Sequence, residues 1–403
     1  MSLTKDLTLL SDRINALSES QTLAMSKKSR ELAAKGHQVI NLSIGEPDFQ
    51  TPQHIKDAAK KAIDEGFSFY TPVSGILELR QAIADKLRKE NNIDWKADNI
   101  VVSTGAKQSL ANALMCLVNP GDEVIIFSPY WVSYSEMVKL AEGETVLLEG
   151  PFENDFKVTA DQLEKAITPR TKVVMYSSPS NPTGSVFTEK ELREIAEVLA
   201  KHENIFVIAD EIYEYINYEP NYFSLGSIPS IKERVITING MSKGFAMTGW
   251  RVGYMAAAKW IADACDKLQG QITSGTCSIS QKAAVAAVKG DMKPTQDMAK
   301  AYLRRRDLVL GLLKEIPGIR TFTPKGAFYV FPEVNDYFGK TDGETTIHTA
   351  DDLCMYILNK VYVSLVTGEA FGAPNCIRIS YAASDENLTE ALRRMKDALA
   401  QLH

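Results

Sequence analysis

Between residues 98 and 256, seven short apolar, β-branched runs alternate with longer stretches whose apolar residues repeat at helical spacing, and this constrains the fold more than any other feature. The runs occupy 100–102, 123–127, 146–148, 172–176, 205–209, 235–238 and 252–256. Among the stretches between them, one opens at Gly105 with Leu110, Leu114 and Leu117 near helical spacing, and another covers 189–201. Strands interleaved with helices form βαβ units, and strands without polar alternation need cover on both faces. The pattern therefore predicts an α/β fold with a mostly parallel seven-stranded sheet between helical layers. Ligands of such sheets bind beyond the carboxyl ends of the strands.

Near residue 290 the alternation stops. Residues 291–315 read as one long charged helix, followed by an apolar run at 327–331, a polar loop at 339–346, a helix over 350–361 and a strand over 376–380. An amphipathic helix over 23–35 ends at Gly36, before a strand-like run at 39–44. These segments predict a smaller α+β domain formed from both chain ends, 1–45 and 291–403, beside a large domain of 46–290.

Several polar residues close apolar strands or follow them directly. Lys243 comes just after a β-rich run ending in Asn239-Gly240, among small and apolar neighbours. Poor hydration there lowers the pKa of an amine and leaves more of it nucleophilic, as Schiff-base chemistry requires. Asp210 ends the run 205–209, where a desolvated carboxylate persists as an anion only beside a fixed positive partner. A helix N-cap would explain it equally. Tyr213, three residues on, is within reach of the same site or packs in the core. Asn181 is fixed between two prolines in Ser178-Pro-Ser-Asn-Pro-Thr-Gly184, which suits one defined hydrogen bond to a ligand. Ser103-Thr-Gly-Ala-Lys107 joins a strand to a helix, so the N–H groups of Gly105 and Ala106 suit an anion. Lys107 opposes the helix dipole there, and either faces solvent or shares in binding that anion. Arg378 alternates with Ile377 and Ile379, which turns its guanidinium to the opposite face, toward a carboxylate ligand or a structural ion pair. Trp131, in Ser128-Pro-Tyr-Trp-Val-Ser-Tyr134, stacks on an aromatic ligand or packs in the core.

Composition excludes several classes. The 403 residues carry 45 basic and 51 acidic side chains, a net charge of −6, and no basic run that would mark a nucleic-acid partner. No apolar stretch reaches the ~20 residues a membrane span needs, and no signal or transit pattern opens the chain. The five cysteines lack CxxC spacing and the five histidines are dispersed, so neither a disulfide framework nor a metal site is expected. The expectation is a reduced, cytoplasmic protein.

Taken together, Ser128–Tyr134, Ser178–Gly184, Asp210–Tyr213, Ser242–Tyr254 and Arg378 resemble the class I aminotransferases, fold-type I pyridoxal-phosphate enzymes. The likeness extends from Gly45-Glu-Pro-Asp48 to Arg378-Ile-Ser-Tyr381. Gly105-Ala-Lys-Gln108 with Pro129–Tyr134 is closer still to bacterial aspartate aminotransferases of the prephenate-accepting branch. The resemblance implies that Lys243 carries the cofactor as a Schiff base and shuttles the proton, and that Asp210 keeps the pyridine nitrogen protonated. It implies that Asn181 and Tyr213 bond the phenolic oxygen and that Arg251, Gly105 and Ala106 hold the phosphate. Trp131 would stack on the ring, with Ser242 and Lys107 also against the cofactor. Tyr70 would reach the phosphate of a neighbouring subunit, so a homodimer with shared sites is expected. Arg378 would clamp the substrate α-carboxylate, with Gly45, Asn181 and Trp131 beside the substrate. Lys107 would neutralise the distal carboxylate of aspartate or glutamate, with Ser20 and Thr22 near the same pocket. This chain has Ser18 where the branch often has a lysine.

The expected activity is reversible ping-pong transfer of an amino group from aspartate to 2-oxoglutarate, serving amino-acid synthesis. Alternatives are an aminotransferase for prephenate, alanine or aromatic amino acids, or a β/γ-lyase of the same fold. A cofactor-binding regulator of this fold would need an N-terminal DNA-binding domain, for which the residues before Gly45 offer no room.

Overall fold

A computed structural model describes residues 10–19 and 21–403. Its strands, in chain order, are β1 (Ile40–Asn41), β2 (Ile100–Ser103), β3 (Glu123–Ser128), β4 (Glu144–Glu149), β5 (Thr171–Ser177), β6 (Phe206–Asp210), β7 (Val235–Gly240), β8 (Gly253–Ala256), β9 (Tyr329–Val330), β10 (Val363–Ser364), β11 (Val366–Thr367) and β12 (Ile377–Ser380). Each of the seven apolar runs forms a strand, and together they build one sheet in the order β2-β8-β7-β6-β5-β3-β4. From β7 through β6, β5 and β3 to β4 every pairing is parallel, whereas β8 runs antiparallel to both its neighbours. The start of β8 therefore lies at the same sheet edge as the ends of the other six.

In the central strands β3, β5, β6 and β7, successive residues enter two different cores. In β3, Val124 and Ile126 pack on one side and Ile125 and Phe127 on the other. In β5, Val173 and Met175 oppose Val174 and Tyr176 in the same way. The period-two alternation of a strand thus joins two apolar faces rather than one apolar and one polar face. The first face is covered by helices that include Leu77–Asn91, Ala106–Leu117 and Lys259–Ile272, the second by Glu189–Ala200.

A further core unites both chain ends. Met25 from helix Gln21–Ala34 and Leu42 after β1 pack with Tyr302 and Leu310 of helix Lys293–Leu313, Ile357 of helix Ala350–Val361, and Ile379 of β12. The pairing of β1 with β10 ties the N-terminal segment to this body. Tyr213 and Ile216, just beyond β6, also belong to this core, so the end of the central strand leads directly into the second body. Among the described residues, no helix is long and apolar enough to cross a membrane.

Ile208 is fully buried in the strand that ends at Asp210. Ile208→Ala is expected to destabilise the protein by about 2–5 kcal/mol, from lost transfer energy plus a residual cavity. A lower urea midpoint at unchanged slope would register it.

Candidate active site

Loops at one edge of the large sheet and residues of the second body enclose a cavity of about 500 Å³. β6 delivers Asp210, the segment after β5 delivers Asn181, β7 leads to Ser242 and Lys243, and the turn after β3 supplies Trp131. Because β8 is reversed, Arg251 reaches the same edge from the residues that precede it. Arg378 is the exception to the strand-end rule, since it enters from within β12 of the other body.

Asp210 is 4% exposed. Its Oδ2 accepts a 2.6 Å hydrogen bond from Tyr134 Oη, and its Oδ1 a 3.2 Å bond from the Ile212 N–H. Burial pushes this carboxyl up to about 6, against the opposing pull of the two bonds. Among the described residues both of its hydrogen-bond donors are neutral. Residues 212–215 form a turn rather than a helix, so Asp210 is no N-cap. The next acid faces the other way. Glu211 accepts from Ser224 Oγ at 2.7 Å, and burial beside Glu214 pushes it up to about 8. Glu214 itself pairs with buried Lys86.

Lys243 is half-buried, and its Nζ lines the cavity and donates to the Gly45 carbonyl. It stands 5.6 Å from the ring centroid of Tyr213 and 5.9 Å from that of Phe328. Desolvation lowers the amine to about 8, with the Glu46 carboxylate opposing the shift. Gly45 cannot bear a side chain, since a Cβ there would lie 2.5 Å from Tyr329 Oη. That hydroxyl shares a 2.6 Å hydrogen bond with Tyr213 Oη, and burial raises the Tyr213 phenol well above its ordinary value.

Arg378 is 2% exposed and has no carboxylate partner among the described residues. Nη1 donates to Asn181 Oδ1 at 2.9 Å and Nη2 to the Ser43 carbonyl at 2.6 Å, while Nε has no partner among the described residues. Its guanidinium lies 4.6 Å from the Tyr329 ring centroid and 4.8 Å from that of Phe371. The ion-pair alternative from sequence does not hold; neutral groups position a desolvated cation.

At the opposite wall, Gly105 precedes helix Ala106–Leu117 with φ +82°, and a Cβ there would fall 2.2 Å from Arg251 Nη2. A Cβ on Gly253 would fall 2.1 Å from the Ala106 nitrogen. Two missing side chains therefore let a helix N-terminus and an arginine close on one another. Arg251 adopts φ 54° and donates to the Thr248 carbonyl at 2.7 Å. Lys107 is exposed yet lines the cavity, its ammonium 4.7 Å from the Trp131 ring centroid, and desolvation with nearby Arg251 lowers its pKa. Trp131 meets Tyr134 edge-on at 5.6 Å.

Thr22 lines the cavity, whereas Ser18 uses its backbone N–H to bond the Glu136 carboxylate at 2.8 Å. Ser20 lies outside the described residues. Tyr70 does not line this chain's cavity and is 98% exposed beside Phe69, itself 84% exposed. Sequence reasoning named no role for Tyr134 or Tyr329. Tyr134 follows Trp131 at helical spacing, which is a usable signal; Tyr329 sits inside an apolar run and carries none.

The Asp210 shift has a definite sign. Its folded pKa of about 6 lies above the ordinary 3.8, so between those values the native state holds more protons and stability falls as pH rises. In ligand-free protein, Asp210→Asn is expected to be more stable than wild type at pH 7–8 by up to about 3 kcal/mol. The gain should fade as pH falls from about 6 to about 4, as thermal unfolding across pH would reveal.

A family model described as aminotransferase class I and II matches residues 37–395. The chain is 46% identical over 400 residues to a Petunia hybrida protein named bifunctional aspartate aminotransferase and glutamate/aspartate-prephenate aminotransferase, covering 98% of this chain and 83% of that one. It is 44% identical to the aspartate/prephenate aminotransferase of Cereibacter sphaeroides, covering 98% and 99%. Among solved structures, the aspartate aminotransferase of Rhizobium meliloti superimposes with a TM-score of 0.95 at 41% identity, covering 98% and 99%. That of Thermus thermophilus with maleate superimposes at 0.91 with 38% identity, covering 96% and 99%.

Proposed function

The chain belongs to the class I and II aminotransferase family, and from that premise we propose that it is an aspartate:2-oxoglutarate aminotransferase using pyridoxal phosphate. The observation that carries this reading is a buried guanidinium, Arg378, without an anion, facing the same cavity as an amine of lowered pKa, Lys243. A cation desolvated among neutral groups suits the carboxylate of an amino acid.

The residues fit the cofactor. Asp210 is a buried acid with only neutral donors bonded to it, suited to a protonated ring nitrogen. The N–H groups beyond Gly105 and the Arg251 guanidinium form a cradle that any Cβ would fill, suited to a phosphate. Asn181 and Tyr213 would face the phenolic oxygen, and Trp131 and Ser242 line the same space. When bound, pyridoxal phosphate supplies an electron sink for the bond broken at Cα.

The protein's own groups do the rest. Arg378 fixes the α-carboxylate, and with it the Cα–H direction, so that proton loss is favoured over decarboxylation. Lys243 Nζ, lowered to about 8, is the base that takes the Cα proton at neutral pH. Lys107, cationic and lining the cavity, takes the distal carboxylate; maleate, a dicarboxylate, accompanies the Thermus structure. The overall exchange converts aspartate and 2-oxoglutarate to oxaloacetate and glutamate in two half-reactions.

The same reading includes a cytoplasmic homodimer, with the large domain taken as 46–290 and the smaller as 1–45 with 291–403. Tyr70 is nearly fully exposed, and Arg251 also borders a second open cavity of about 590 Å³, as entry of a side chain from another copy requires. Prephenate as an alternative acceptor has support in the relatives' names, while Ser18 bears no charge.

Purified holoenzyme mixed with single amino acids tests the assignment through the cofactor's absorbance. Aspartate and glutamate should convert it fast, and alanine and phenylalanine slowly. Fast conversion by apolar amino acids would remove the aspartate assignment, and pyruvate and ammonia released without an acceptor would mark a lyase. Lys243→Ala is expected to lose at least roughly 10³-fold in turnover. Lys107→Ala should raise KM for both dicarboxylic amino acids about tenfold or more, through loss of a charged hydrogen bond. Wild-type KM values in that variant would remove its distal-carboxylate role.

A further inference from the structure

Two donors are expected at the cofactor's phenolic oxygen, Asn181 and Tyr213, and each is held from behind by the same pair of strands. Arg378 of β12 donates to Asn181 Oδ1 at 2.9 Å, which leaves the amide nitrogen of Asn181 to donate. Tyr329 of β9 shares a 2.6 Å hydrogen bond with Tyr213 through their hydroxyls. β9 and β12 are antiparallel neighbours in which Tyr329 pairs with Ser380, so Tyr329 and Arg378 are diagonal neighbours on one face. The guanidinium accordingly lies 4.6 Å from the Tyr329 ring centroid.

Tyr329 is fully buried and lines the cavity. Its position against Tyr213 is fixed by the backbone. The Ala327 N–H donates to the Ile216 carbonyl at 2.7 Å and the Tyr218 N–H to the Lys325 carbonyl at 2.8 Å, so the segments carrying the two tyrosines run side by side. The two rings meet edge-on, with centroids 5.8 Å apart. A phenol has one proton to give. Tyr213 can give its own to a ligand only if the bond between the hydroxyls runs from Tyr329 to Tyr213. Burial raises both phenols; the nearby Arg378 charge opposes the rise at Tyr329, whereas Tyr329 itself adds to it at Tyr213, which makes Tyr329 the better donor.

We propose that Tyr329 is a positioning residue, which donates its hydroxyl proton to Tyr213 and so directs the Tyr213 proton to the cofactor's phenolic oxygen. The inference rests on the transamination reading above. A chain of two hydrogen bonds polarises along its length, so the outer donor strengthens the inner one. A bond given to the phenolic oxygen draws negative charge from it and lowers the proton affinity of the nitrogen that joins the cofactor to Lys243. One strand pair then sets both donors, Arg378 through Asn181 and Tyr329 through Tyr213.

The test uses holoenzyme and follows the cofactor's absorbance as pH is varied. Tyr213→Phe removes the inner donor and should raise the midpoint by about one pH unit. Tyr329→Phe keeps the ring beneath Arg378 and removes only the hydroxyl. It should raise the midpoint by about half a unit and change maleate affinity by less than about twofold. Lys243, Asp210 and Arg378, the charged groups facing Tyr213, are the same in every variant. Added to Tyr213→Phe, Tyr329→Phe should move the midpoint no further, because Tyr329 acts through Tyr213. An unchanged midpoint in Tyr329→Phe, an equal shift in both backgrounds, or a tenfold loss of maleate affinity would overturn the role of Tyr329 while leaving transamination intact. Wild-type protein that shows no titrating cofactor band and converts no amino acid would overturn the transamination reading and this inference with it.

Discussion

Arg378 and Asp210 are charges of opposite sign withdrawn from water into one cavity, and among the described residues neither is neutralised by an ion pair. Removing an ion from water costs several kcal/mol even after relaxation, so such groups persist only where the surroundings are held firmly. The holding groups come from distant parts of the chain. Asn181 follows β5, Ser43 follows β1, and Tyr329 and Phe371 belong to the C-terminal body. Tyr134, which bonds Asp210, stands in the helix after β3. Each body must be fully packed before the cavity can exist, so core stability is set against a locally unfavourable site.

The sheet was legible because its central strands are apolar on both faces, a pattern loops and surface helices do not imitate. Its one reversed strand was not legible, since an apolar run of 252–256 reads alike in either direction. Asp210 and Lys243 stood out as charged residues at the ends of apolar runs, and Arg378 through its alternation with two isoleucines. The nature of their partners did not. An aspartate at a strand end looks the same whether a lysine or a tyrosine faces it, and here the donors are Tyr134 and the Ile212 N–H.

Residues 210–214 show how one short segment can treat three acids differently. Asp210 faces the cavity, Glu211 turns to a buried serine, and Glu214 meets a buried lysine. Both glutamates lie behind the cavity and outside its lining. Burial raises the first two carboxyls, to about 6 and about 8, with the Glu214 charge adding to the rise at Glu211, while Lys86 supplies the third with a cation. Opposite faces at a strand end make this separation possible within adjacent residues.

The reversal of β8 makes the connection 241–252 a caliper. Its first jaw is Lys243, three residues beyond the end of β7, and its second is Arg251, two residues before β8 begins. Both jaws open on one cavity because the two strands are hydrogen-bonded neighbours running in opposite directions. The span between them is set by chain length and by the left-handed turn at Arg251, not by the relative position of the two bodies. Movement of the C-terminal body could carry Arg378 toward or away from a ligand without altering that span. A lengthened or shortened connection, by contrast, would misfit the two jaws even with every other residue of the cavity unchanged.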